Sequence, residues 1–339
     1  MKRLRAALGA ALLLVLLAVA PAAAGSNATN YGGDGALAVN PRTGAASLDV
    51  ALFSLEGVQP DSAVSLVLSY REEDAISDAD ETHTVFGLPY GWALNLSYVA
   101  NRDTYQELNV DGAQTYVLDE TWTTQFQATG SSSATPVKTG LKEYNQADVQ
   151  YRADAGTVTV GGITSHSVIQ SLDGRARYLS ANGVLLASRD RWGNQVSYTW
   201  EADQPAEHAR LAGMIDSWGQ AITLTYGTAP DGSAQQCAVT VILPDGRRVG
   251  WVVQDGVLTR IFDAQGKITV LGWETTCGYQ VVSNATMPTG AATRLQHQCM
   301  SVCASAPSQG TQCTADTVTW PVVATRVDCP SGTPCAVGT

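Results

Sequence analysis

The sequence predicts an all-β protein: antiparallel hairpin repeats forming one continuous curved sheet, shell-like or barrel-like, with a β-rich N-terminal region and a Cys-rich irregular C-terminal tail. Three observations carry this expectation. Charged residues make up 15% of the 339, against roughly 25% in soluble domains, whereas the Val, Thr, Tyr and Trp that suit pleated, half-buried surfaces are plentiful. Apolar positions alternate with polar ones over long stretches, the period-two signature of strands with one buried face. Asp and Gly interrupt those stretches at recurrent intervals.

Residues 1–24 read as a processing signal. Lys2, Arg3 and Arg5 precede an apolar run from Ala6 to Ala20, and Pro21, Ala22, Ala23 and Ala24 follow before Gly25. A basic start, a short apolar stretch and a small-residue site make a Sec-type signal peptide, cut after Ala24. The run is shorter than the roughly 20 residues that span a bilayer, and no later segment is apolar for as long. The expected product is therefore soluble, secreted or held at the cell surface, with no membrane span after processing. Its charge narrows the partners further. The full chain carries −11, and the signal holds three of the twenty basic residues and none of the thirty-one acidic ones, leaving −14. That balance argues against nucleic acid or anionic lipid as a partner, since both would be repelled.

Residues 25–128 form the β-rich opening region. Val64, Leu66, Leu68 and Tyr70 share one strand face, and Trp92, Leu94, Leu96 and Tyr98 another. The run Glu72–Glu81 gathers six carboxylates, and Thr129–Thr135 is polar and of low complexity; both are expected to be exposed loops. Residues 129–157 read as a linker.

Residues 158–274 repeat one layout: an apolar strand, a turn built on Asp and Gly, and a second strand. The turn glycines Gly174, Gly193, Gly219, Gly246 and Gly266 are spaced by 19, 26, 27 and 20 residues. A tight reversal needs a residue at positive φ, which Gly supplies without steric cost, and a short acceptor such as Asp190, Asp216 or Asp263 can bond nearby amides. The strands after the turns present Val196, Tyr198 and Trp200; Ile222, Leu224 and Tyr226; Val249, Trp251 and Val253; and Ile268 and Val270, each set read as an inward face. One hairpin cannot bury its own face, so successive hairpins must lie side by side.

Residues 275–339 are the Cys-rich tail. Six of the seven cysteines, Cys277, Cys299, Cys303, Cys313, Cys329 and Cys335, lie here, and Cys237 stands apart. In an oxidising compartment these six are expected in disulfides that brace a poorly cored module. Six cysteines allow fifteen pairings, and the sequence selects none.

The repeats resemble the bacterial YD-repeat, or RHS-repeat, family. Its units carry a D-x-x-G turn and a strand ending in an aromatic, as in Asp190, Gly193 and Tyr198 here. The opening region also resembles the segment that begins many such proteins, through Phe86, Gly87, Gly91, Trp92 and Asn95 and through Asp111, Gly112 and Tyr116. The resemblance covers roughly residues 31–275. It implies an exported or surface-associated β shell of the kind that can enclose a toxin. The chain is far shorter than typical members and lacks the D-P-x-G core motif and the aspartyl self-cleavage residues. What the resemblance implies is a structural scaffold, a fragment or degenerate relative of a toxin-type protein, and no catalytic residue.

No constellation in the sequence points to an enzyme. His297, Cys299 and Cys303 do not have the spacing of a zinc finger. The carboxylates of Glu72–Glu81 lack the pattern of a calcium loop, so no metal or other cofactor is expected. Ser165, His166 and Ser167 are adjacent without a nucleophile-elbow motif, and His83 and His208 lie in polar stretches. The alternative to the scaffold is an extracellular carbohydrate-binding or carbohydrate-active protein. Its candidate ligand contacts are Trp192 and Trp218, which hold equivalent turn positions. Partners are then other protein chains or surface glycans.

Overall fold

A computed structural model describes residues 37–56, 63–77, 85–102, 105–112, 114–118, 140–143, 148–303 and 317–330. The signal segment 1–24, the run Thr129–Thr135, His83, Cys313 and Cys335 lie outside the described residues.

The opening region supplies two small antiparallel sheets. The first comprises β1 (Ala38–Val39), β2 (Ala46–Leu55), β3 (Val64–Arg71) and β4 (Trp92–Leu94), with helix α1 (Glu72–Ser77) following β3. The second comprises β5 (Tyr98–Asn101), β6 (Gln106–Val110) and β7 (Gln114–Val117). The alternation read from sequence holds: Val64, Leu66, Leu68 and Tyr70 are at most 4% exposed, and Trp92, Leu94, Leu96 and Tyr98 are also buried. The acidic run departs from its expected form. Its first six residues make α1, with Ala75 buried and Glu72 fully enclosed; residues 78–81 lie outside the described residues. Three acidic side chains in the first turn suit the positive end of a helix, and the core contact of Ala75 holds this short segment down.

The remaining strands are β8 (Val149–Ala153), the small pair β9 (Thr159–Val160) and β10 (Ile163–Thr164), β11 (Ser167–Ser171), β12 (Ala176–Leu179) and β13 (Leu185–Arg189). They continue with β14 (Gln195–Trp200), β15 (Leu211–Ile215), β16 (Ala221–Thr228), β17 (Ala234–Ile242) and β18 (Arg248–Gln254). The last are β19 (Val257–Phe262), β20 (Ile268–Thr276), β21 (Tyr279–Thr286), β22 (Ala292–Cys303) and β23 (Thr317–Cys329). Apart from β9 and β10, these form one antiparallel sheet of 14 strands in chain order, β8 beside β11 and each later strand beside the next. The sheet is not closed into a barrel: its end strands β8 and β23 do not pair with each other.

Three sequence expectations are corrected by this arrangement. The stretch 129–157 is not all linker, because β8 is the first strand of the large sheet, in register with β11. The tail is not irregular, because β21 to β23 extend the same sheet and bury Val281, Val282, Ala285 and Leu295. Ile268 and Val270 face solvent at 36% and 45% exposure, while Thr269 and Leu271 point inward. Local alternation fixes that β20 has two faces, and packing of its neighbours decides which face is buried.

The core joins the opening region to the sheet. One buried cluster runs from Leu37, Leu48 and Tyr70 through Phe86 and Trp92 to Trp200, Trp251, Val282 and Leu295. Phe86 stacks on Trp200 with ring centroids 5.2 Å apart and meets Tyr98 edge-on at 5.5 Å. Tyr70 meets Trp273 edge-on at 5.7 Å. A second cluster packs β5 to β7 against β8, β11 and β12 through Leu108, Leu118, Tyr151 and Ile169. Aromatics near strand ends also lock single hairpins. Trp200 donates its indole N–H to the Leu185 carbonyl, Tyr226 its hydroxyl to Leu211 and Trp273 its indole N–H to Leu258, each reaching back 15 residues at 2.7 to 2.9 Å.

Candidate functional site

The turns at one end of the sheet share a single geometry. Consecutive antiparallel strands place alternate turns on the same rim, and one rim carries turns 171–175, 190–194, 216–220, 243–247, 263–267 and 287–291. In all six, the first residue's N–H donates to the fifth residue's carbonyl, and the N–H of the fourth residue, always Gly, donates to the first residue's carbonyl. Those glycines have φ between 72° and 91°. This is the three-residue hairpin loop in which a type I turn ends in a left-handed bulge residue. All five glycines read from sequence as turn positions lie on this rim, and Gly290 makes a sixth.

Aspartate fixes the turns in two ways. At the first position, Asp190, Asp216 and Asp263 accept from the amides of the third and fifth residues, at 2.8 to 2.9 Å. At the third position, Asp173 and Asp245 accept from the fifth residue's amide at 3.0 Å and from its arginine Nε at 2.6 Å. Slight burial raises the Asp190 carboxyl, but hydrogen bonds from Asn194, Trp192 and Gly193 outweigh it and hold it below the usual carboxylate range.

Trp192 and Trp218 occupy the third position of two turns that are neighbours along the rim. They are 49% and 59% exposed, whereas Trp92, Trp200 and Trp251 are at most 7% exposed. The Arg191 guanidinium lies 4.0 Å from the Trp192 ring centre. Ser217 ties the two turns together, accepting from the Gln195 N–H at 2.6 Å and donating to the Gln195 carbonyl at 3.0 Å.

Beneath these turns is a cavity of about 200 Å³ between the rim and the opening region. Asp190, Asn194, Asp216 and Ser217 line it from the turns, Arg177 and Arg189 from the sheet, and Asn95 and Asp111 from the opening region. Arg177 is 5% exposed and bonded through all three of its nitrogens: Nε and Nη2 both donate to the Asp111 carboxylate, and Nη1 donates to Ser171 at 3.0 Å. In the sequence Asp111 stands out only as part of the opening motif. Nothing local links it to Arg177, 66 residues away.

The other candidates separate clearly. Cys277 and Cys299 form a disulfide, which takes Cys299 out of any thiolate metal site, and Cys329 is also disulfide-bonded. Cys303 ends β22, and Cys237 is free and exposed. Ser165 and Ser167 are buried while His166 is exposed, so strand alternation turns these hydroxyls away from the imidazole. Ser165 instead donates to Asp154. His208 is exposed. Among the described residues, no group of three or more His, Cys, Asp or Glu side chains is arranged to hold a metal ion.

One cluster escapes sequence reading. His297 on β22, with its side chain fully buried, lies between two carboxylates: Nδ1 is 2.7 Å from Glu274 Oε1, and Nε2 is 3.3 Å from Glu72 Oε1. The second contact is at ion-pair range but outside hydrogen-bonding geometry. Glu72 Oε2 accepts from the Ala46 N–H at 2.5 Å. Burial lowers the imidazole pKa, and the hydrogen bond to Glu274 with the charges of Glu72 and Glu274 outweigh it, leaving His297 above its ordinary value. Burial first, and Glu72 second, push the nearby Tyr70 hydroxyl far up. The available sequence signal was the alternation of Thr293, Leu295 and His297 along β22.

No protein-family model matches the chain, and no curated protein matches it. Among solved structures, the chain is similar to the TcdB2-TccC3 crystal structure at TM-score 0.35 and 13% identity, over 80% of this chain and 17% of that one. It is similar to the Tc holotoxin pore of Photorhabdus luminescens at TM-score 0.35 and 12% identity, over 82% and 17%. The chain thus spans about a sixth of the length of each.

Proposed function

We propose that the chain is an exported RHS-like β scaffold that acts by presenting a surface to partners rather than by catalysis. The observation that carries this reading is the rim: six consecutive turns of one geometry along one end of a 14-stranded sheet. A repeated, hydrogen-bonded turn fixes side chains at regular intervals on a rigid support, which suits recognition of an extended partner. The opening region underpins that support, because its core contacts run from β14 to β22. The basic and apolar character of residues 1–24 supports export. Among the described residues, no helix is long and apolar enough to cross a membrane.

The test follows the full chain in the cell that makes it, by fractionation and N-terminal sequencing. Recovery from the medium or cell envelope, beginning at Gly25 and cross-linkable there to a partner, is the expected result. Recovery in the cytoplasm with residues 1–24 intact overturns the export reading. A purified chain that cross-links to nothing at the envelope overturns the surface role.

A further inference from the structure

We infer that the Trp192 and Trp218 turns, with the cavity beneath them, form a binding site for a neutral, extended, β-linked glycan. The inference rests on the reading of the rim as a recognition surface and names its ligand class. Three observations point to sugar.

The first is the pair of indoles. A chain that buries Trp92, Trp200 and Trp251 almost completely leaves Trp192 and Trp218 about half exposed at equivalent places. Neither indole has a core role at those tips. An exposed indole is a flat apolar surface of low conformational entropy, suited to the C–H face of a pyranose ring.

The second is their spacing. The hairpins β13–β14 and β15–β16 are adjacent, so corresponding points on their turns lie two strand spacings apart, roughly 9 to 10 Å. The bonds of Ser217 to Gln195 hold that separation. It is comparable with the distance between alternate rings of an extended β-1,4-linked chain, which present their faces in the same sense. One ring can stack on Trp218 and another on the Trp192 face away from Arg191, with the intervening ring bridging between them.

The third is the chemistry below. Asp190, Asn194, Asp216 and Ser217 belong to the two turns that carry the indoles, and they also line the cavity. With Arg189 and Asn95 they surround it with carboxylate, amide, hydroxyl and guanidinium groups; several of these hold the turns, and the carboxylate lone pairs and Arg189 N–H groups left over are acceptors and donors for vicinal hydroxyls. A cavity of about 200 Å³ is smaller than the roughly 300–1,000 Å³ of drug-sized ligand pockets and is of monosaccharide rather than peptide size. An amphipathic helix would instead need a continuous apolar groove, which carboxylates interrupt here. The chain's net charge of −11 disfavours sulfated or uronic polymers.

The experiment titrates the processed full-length protein with cellohexaose, chitohexaose and mannohexaose, followed by calorimetry and indole fluorescence. Binding of at least one, with a change in Trp emission, is expected. Trp192→Ala and Trp218→Ala each weaken it about tenfold, the loss of roughly 1.4 kcal/mol of stacking, and the double variant abolishes it. Trp192→Phe retains most of the affinity. Because both indoles are exposed, the variants keep the wild-type far-UV spectrum and melting temperature, which separates lost binding from lost folding. Absence of binding to all three hexaoses, binding unchanged in the double variant, or binding to heparin alone overturns the glycan assignment. An envelope protein cross-link that survives any of these outcomes leaves the scaffold reading standing, so the two fail separately.

Discussion

Gly193 and Gly183 have similar backbone torsions, with φ of 91° and 79°, but different surroundings. A Cβ built on Gly193 meets nothing within 4 Å, whereas one on Gly183 collides with the Val99 carbonyl oxygen. Gly183 is where the sheet touches β5: its carbonyl accepts from the Val99 N–H at 2.8 Å, and Val184 bridges to Tyr98. Gly193→Ala then loses only the left-handed torsional preference, about 1–2 kcal/mol. Gly183→Ala adds a displacement of β5 and costs more than about 3 kcal/mol. Urea denaturation of the two variants measures this order, and equal costs would remove the Val99 contact from the account. The same pair marks what was legible in the sequence at this scale. The Gly193 turn is written in five contiguous residues, whereas the demand on Gly183 comes from a backbone 84 residues earlier.

Strands and turns were legible where their cause was local. The D-x-x-G turns appear as read, because the aspartate, the glycine and the amides they satisfy lie within five residues. β22 was not, because its inward row mixes Thr293 and His297 with Leu295, and polar members conceal the period. Those polar members mark the cluster that joins β22 to α1 and β20. His297 has a folded-state pKa above its ordinary value of about 6.5. Its protonated form therefore contributes stability that is fully present below about pH 6.5 and is lost as pH rises through the raised folded value. His297→Gln removes this and leaves Glu72 buried without its cation, at a cost of about 3–5 kcal/mol. Melts in matched buffers from pH 6 upward should show the wild-type advantage shrinking toward alkaline pH while the variant stays level. Parallel slopes would mean that His297 carries no charge in the folded protein.

At the scale of the molecule, the sheet curves around the opening region instead of standing beside it. The opening region meets the sheet near its start, where Tyr98 bridges to Val184, and through its middle, where Phe86 stacks on Trp200 and Tyr70 meets Trp273. It also meets the far edge strand, where the Val323 N–H donates to the Gly44 carbonyl at 2.9 Å. An open sheet of 14 strands would otherwise leave its concave face wet, and the opening region is what fills it. The two parts should therefore unfold as one unit. Phe86 is the sharpest test, because it sits between Tyr98 of the opening region and Trp200 of the sheet and its N–H donates to the Ala206 carbonyl at 3.0 Å. Phe86→Ala is expected to cost about 3–5 kcal/mol. Far-UV dichroism reports the strands and near-UV dichroism reports the packed aromatics, and both should still fall in a single coincident transition at lower denaturant. A variant in which the aromatic signal melts first, while the strand signal keeps its wild-type midpoint, would mean that the sheet supports itself and the opening region is an accessory to it.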